Sequence, residues 1–114
     1  MSEIRLDLIV NGKKKVFTQD FVPYKKALDY TEQEAKFFQD ENGEQKKEVN
    51  QIDLMQFRAD FVASLFNDDE LTGEVILNGL DARDKDKLMD IIFYRVLGYE
   101  KPNGEVDPKE KKEV

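Results

Sequence analysis

Residues 4–10, Ile-Arg-Leu-Asp-Leu-Ile-Val, constrain this chain more than any other stretch. Ile4, Leu6, Leu8 and Val10 fall on one side of an extended chain and Arg5 and Asp7 on the other, with Ile9 the single exception. Asn11-Gly12 follows. That pair favours a two-residue hairpin turn, because both turn positions need positive φ. Lys13–Phe17 then supplies a return strand that ends in Val16 and Phe17. A two-stranded hairpin alone is marginal in water. Its apolar side must therefore lie on the rest of the chain, and the rest reads as helices.

Pro23 suits a helix's first turn, where a missing N–H is no loss. Beyond it Tyr24, Ala27, Leu28, Thr31, Ala35 and Phe38 share one face at helical spacing. Residues 40–50 (DENGEQKKEVN) are polar around Gly43 and read as a mobile loop. Asp53 followed by Gln56 resembles a capping box. The helix it would open, Leu54–Phe66, is apolar over more than half its circumference and should be central. Thr72 can cap a short helix ending at Asn78-Gly79, and Gly98 suits the end of a last one. The expected fold is α+β and mostly helical: an N-terminal β-hairpin packed on a bundle of about four helices. Residues 1–100 form one domain in this reading. Residues 101–114 offer only Val106 and Val114 as aliphatic side chains beside Pro102 and Pro108, and read as a disordered charged tail. No internal repeat is visible.

With 114 residues the chain can bury roughly two-thirds of its unfolded surface in one modest core. It contains neither cysteine nor histidine. Disulfides, thiolate metal sites, Ser-His-Asp triads and Cys-His nucleophiles are thereby excluded, and with them most hydrolytic chemistry. No cofactor is implied: there is no glycine-rich phosphate loop and no paired catalytic carboxylates. The formal charge of −7, with 38% charged residues, opposes binding to nucleic-acid backbones. Lys13-Lys14-Lys15 is too short a basic run to reverse this and reads as a solvated turn. Apolar runs of only a few residues give no membrane span, and Glu3, Arg5 and Asp7 interrupt any would-be signal peptide.

Residues 78–100, NGLDARDKDKLMDIIFYRVLGYE, set an acidic cluster against an apolar run. As a cation loop, Asp81, Asp84 and Asp86 fall at relative positions 1, 4 and 6 and lack the glycine such a loop requires. As a helix start they fit well: Asp81 at the N-cap and the others at the positive end of the helix dipole. No metal is expected there. At about 100° per residue Leu88, Met89, Ile92, Phe93 and Val96 form one core face, which leaves Ile91 and Tyr94 on the far side. Tyr30 and Phe37 likewise lie off the stripe of the first helix, seven residues apart. Either these helices are wrapped on two sides, or Ile91, Tyr94, Tyr30 and Phe37 belong to a second apolar surface kept for a partner or for self-association. Arg58, between Val62 and Leu65 on the apolar arc of its helix, either anchors an acidic partner segment or pairs with a carboxylate inside the fold.

Two segments carry a family resemblance: LDLIVNGKKKVFTQDFVPYKKALDY, a hairpin running into the first helix, and LTGEVILNGLDARDKDKLMDIIFYRVLG, the short helix followed by the last. Over roughly residues 3–99 the chain resembles the tail assembly chaperones of long-tailed (siphovirus-type) phages of Gram-positive bacteria. The resemblance implies a non-enzymatic protein of the host cytoplasm, absent from the finished virion. Such proteins coat the tape-measure protein, keep it soluble and recruit the major tail protein. It also implies a possible longer, frameshifted product, for which the lysine-rich KEKK near the C-terminus would suit an A-rich slippery site. The competing reading is a small acidic regulatory or inhibitory protein acting on a host or phage enzyme.

Overall fold

The computed structural model describes residues 3–39, 42–45 and 48–99. The expected charged tail after residue 100 and part of the 40–50 loop lie outside the described residues. Strands β1 (Ile4–Val10) and β2 (Lys13–Gln19) pair antiparallel with Val10 opposite Lys13. Asn11 and Gly12 form the two-residue loop at φ 55° and 79°, the left-handed pair that such a turn demands. Leu6 faces Phe17 across the ladder, and Ile4, Leu6, Leu8 and Phe17 are all buried. Ile9, out of phase with the others, points to solvent as the alternation requires.

Four helices follow: α1 (Lys25–Phe38), α2 (Gln51–Ser64), α3 (Gly73–Gly79) and α4 (Lys87–Asp90). The last continues without a break into a π-helix (Ile91–Val96). The result is the hairpin on a helical bundle that the sequence implies, with Leu6, Leu8, Tyr30, Val62, Ile76 and Ile92 at its centre.

Local signals placed most ends correctly. Thr72 Oγ1 accepts the Val75 N–H at 3.1 Å and starts α3. Gly98 closes the π-helix at φ 79°, with the Tyr99 N–H reaching back to the Phe93 carbonyl at 2.9 Å. Two signals need correction. The cap of α2 is Asn50, whose Oδ1 accepts the Asp53 N–H at 3.1 Å, so Asp53 lies inside the first turn. Asp81 caps only a 3-10 turn (Ala82–Asp84), and the regular helix begins at Lys87.

Glycines let the elements approach closely. A Cβ on Gly79 would stand 2.6 Å from the Ile9 carbonyl oxygen, so the end of α3 rests directly on the β1 backbone. A Cβ on Gly73 would collide with Asp60 of α2. Gly79 thus does more than end a helix.

Candidate interaction surface

Helix α1 is turned opposite to expectation. Tyr30 is fully buried at 0% exposure, stacked on Phe57 with ring centroids 5.4 Å apart and tilted against Phe61 at 5.0 Å. Phe37, half-buried, packs on the same Phe57 at 4.9 Å. Two aromatic side chains one heptad apart on α1 therefore lock onto a pair one turn apart on α2. Tyr30 is thus core, which corrects its place on an exposed strip. The stripe expected to be core is largely turned outward: Tyr24 is 83% and Leu28 59% exposed and Thr31 is exposed too, while Ala27, Ala35 and Phe38 are half-buried. At 100° per residue the two faces differ by about 130°. Burying α1 through Tyr30 and Phe37 necessarily turns Tyr24 and Leu28 away.

Arg58 of α2 closes this contact. Its Nε donates to the Tyr30 hydroxyl at 3.4 Å, the hydroxyl donates to Glu34 Oε2 at 2.8 Å, and the Arg58 guanidinium lies 3.7 Å from the same carboxylate. Burial pushes the Tyr30 phenol up to about 12; the bond from Arg58 opposes the shift and Glu34 adds to it. Of the two sequence readings for Arg58, internal pairing with a carboxylate is what the fold contains.

The terminal helix departs from expectation in a different way. Ile91 is buried at 7% exposure and Tyr94 is half-buried, so they form no free strip. The physical reason is the winding. The Leu97 N–H bonds to the Ile92 carbonyl five residues back, the π pattern, so each residue advances less than the 100° assumed from sequence. The helix is also enclosed on two sides. Ile92 enters the core, while Ile91 and Tyr94 line a hollow of about 280 Å³ shared with Ile4 and Arg5 of β1.

A different surface presents spare apolar area. Helices α2, α3 and α4 border a groove of about 150 Å³ lined chiefly by Met55, Leu77, Leu80, Leu88 and Met89, with Arg58, Asp81 and Lys85 as its polar members. Met55 and Leu77 are exposed, and Ile52, one turn before Met55, is also exposed. Arg58 is the one residue selected from sequence that borders this groove. Of the other lining residues, Leu88 and Met89 read as a core face and Asp81 as a helix cap, while Leu77 and Leu80 carry no sequence signal for a surface role. Two methionines in one groove were the available signal, since flexible thioethers suit a surface that adapts to varied apolar partners.

Asp81 at the rim is held by Arg83: its carboxylate accepts the Arg83 backbone N–H at 2.9 Å and the guanidinium at 3.0 and 3.3 Å. The side-chain bond, then the backbone bond, hold its carboxyl below the usual range. Among the described residues, no group of three or more acidic side chains is gathered so as to hold a metal ion. Nor is any described helix long and apolar enough to cross a membrane.

Comparison with known proteins adds one finding. A family model described as "Phage tail chaperone protein" matches residues 1–113. No curated protein and no solved structure matches the chain. The match spans the hairpin, all four helices and the groove between α2 and α4, and this chain belongs to the phage tail chaperone family.

Proposed function

We propose that this protein binds the tape-measure protein of its phage, keeps it soluble in the host cytoplasm, recruits the major tail protein, and leaves before the virion is complete. It does so by binding, without catalysis. The observation that carries this reading is the apolar groove between α2, α3 and α4, on a chain that belongs to the phage tail chaperone family. A long, helical, apolar client needs apolar contacts that do not themselves aggregate, and helix-in-groove docking supplies them. The surrounding net charge of −7 keeps the complex dispersed. Arg58 stays at the border of the proposed surface, lining the groove while its guanidinium is engaged by Tyr30 and Glu34. Tyr30 and Ile91 leave it, because they are buried in the fold.

Co-expression with the tape-measure protein tests this. Met55→Lys with Leu77→Lys alters two exposed side chains, so stability should change by no more than about 0.5 kcal/mol each. An apolar pair buried on binding contributes on the order of 2–4 kcal/mol, so the soluble fraction of the client should collapse. A folded double variant that solubilises normally would remove the groove from the mechanism. A wild-type chain that leaves the client insoluble would remove the function.

A further inference from the structure

The outward stripe of α1, exposed at Tyr24, Leu28 and Thr31 and half-buried at Ala35 and Phe38, has a regular spacing. Tyr24, Leu28, Thr31, Ala35 and Phe38 are separated by four, three, four and three residues, the heptad interval of a coiled-coil seam. Tyr24 and Leu28 are the most exposed large apolar side chains of the helix, and Phe21, just before it, is 70% exposed. Nothing among the described residues lies over Tyr24. The opposite side of α1 is already committed to α2 through Tyr30 and Phe37.

Charges beside the stripe specify what can cover it. With Leu28 and Ala35 at a positions and Tyr24, Thr31 and Phe38 at d, the e positions are Lys25, Glu32 and Gln39, and the g positions are Ala27 and Glu34. A parallel pair of such helices would bring g to e, placing Ala27 by Glu32 and Glu34 by Gln39, with no attraction between charges. An antiparallel pair brings e to e. Where Leu28 meets Thr31 of the second copy, Tyr24 meets Ala35 and Lys25 meets Glu32, and two-fold symmetry makes each contact twice. Sliding one heptad either way opposes Lys25 to Lys25 or Glu32 to Glu32. One register alone is attractive, and in it the largest stripe residue faces the smallest.

We propose that α1 is a homotypic interface: two copies of this chain pair antiparallel through Tyr24, Leu28, Thr31 and Ala35, with Lys25 of each copy against Glu32 of the other. The seam is two heptads long, so association is weak and concentration-dependent. It lies on a different face of the molecule from the groove of α2–α4 and does not depend on the client-binding reading. Lys25 now bonds Asp29 on its own helix at 3.3 Å, an exposed contact that it can exchange for Glu32 of the second copy.

Sedimentation equilibrium of the full chain, from about 10 µM to about 1 mM, reads the association directly. The average mass should climb toward that of a dimer. Leu28→Lys should weaken dimerisation at least tenfold with the melting temperature unchanged, because Leu28 is exposed in the monomer. Lys25→Glu alone should also weaken it, and Lys25→Glu combined with Glu32→Lys should restore it. The absence of cysteine permits a second measurement: L28C mixed with T31C should give crosslinks between the two variants in preference to crosslinks within either. A chain monomeric throughout the range overturns the proposal. So does a dimer indifferent to Leu28, or a charge exchange that fails to restore pairing. Should Leu28→Lys impair client solubilisation in a chain that stays monomeric, the stripe serves the client and the homotypic interface is likewise refuted.

Discussion

Helix α1 and the terminal helix invite comparison because each carries a regular apolar stripe and a second pair of large side chains outside it. In the terminal helix the stripe lies inward as expected: Ile92 is fully buried, and Leu88, Phe93 and Val96 pack against the core. The second pair, buried Ile91 and half-buried Tyr94, faces Ile4 and Arg5 of the hairpin across a hollow. In α1 the stripe lies outward and the second pair, Tyr30 and Phe37, makes the contact. Periodicity identifies which residues share a face. It does not say which face has a neighbour. The neighbour of α1 is an aromatic pair, Phe57 and Phe61, to which flat rings on α1 are better matched than Leu28 or Thr31.

The largest test of this contrast lies in α1. Tyr30→Ala should destabilise the fold by about 3–5 kcal/mol, the usual effect of deleting a buried aromatic side chain. Tyr24→Ala, six residues earlier, should stay within about 0.5 kcal/mol. Urea melts of the two variants decide it, and equal losses would mean that α1 sits the other way round. For the terminal helix, Ile91→Ala should lower stability by about 2–4 kcal/mol in the same assay, since the residue is buried. A loss near zero would return Ile91 to a free strip.

Alkaline pH sharpens the α1 contact. The Tyr30 phenol is raised from 10 to about 12, so its neutral form is favoured in the folded chain. The stability tied to that shift is fully present below pH 10 and is lost as pH rises from 10 through 12, on the order of 2 kcal/mol in all. Melting temperatures of the wild type and Tyr30→Phe should therefore converge across that window. A constant gap would place the hydroxyl in solvent.

A smaller effect is expected where α3 meets the hairpin. Gly79→Ala must displace the Ile9 carbonyl or tilt α3, with a loss of about 1–3 kcal/mol. Full stability in a chemical melt would mean the helix and strand stand farther apart than described. The smallest effect should come from deleting residues 101–114. Their few apolar side chains give them little to bury, so the melting temperature should hardly move. A fall of many degrees would show a docked tail.

Signals that act within a few residues are legible in the amino-acid sequence itself. Asn11-Gly12, Thr72 and Gly98 mark turns and helix ends, because a positive φ or a cap bond is decided by the local chain. The alternation in β1 likewise sorts buried from exposed side chains, with Ile9 the exception that faces water. What the tertiary structure alone decided was orientation and enclosure. Burial depends on which elements meet across long sequence separations, and no local pattern in α1 states that Tyr30 will meet Phe57 twenty-seven residues away. The groove between α2, α3 and α4 is the same kind of property. Leu88 and Met89 read as a core face, and only the packing of three helices brings them together with the exposed Met55 and Leu77.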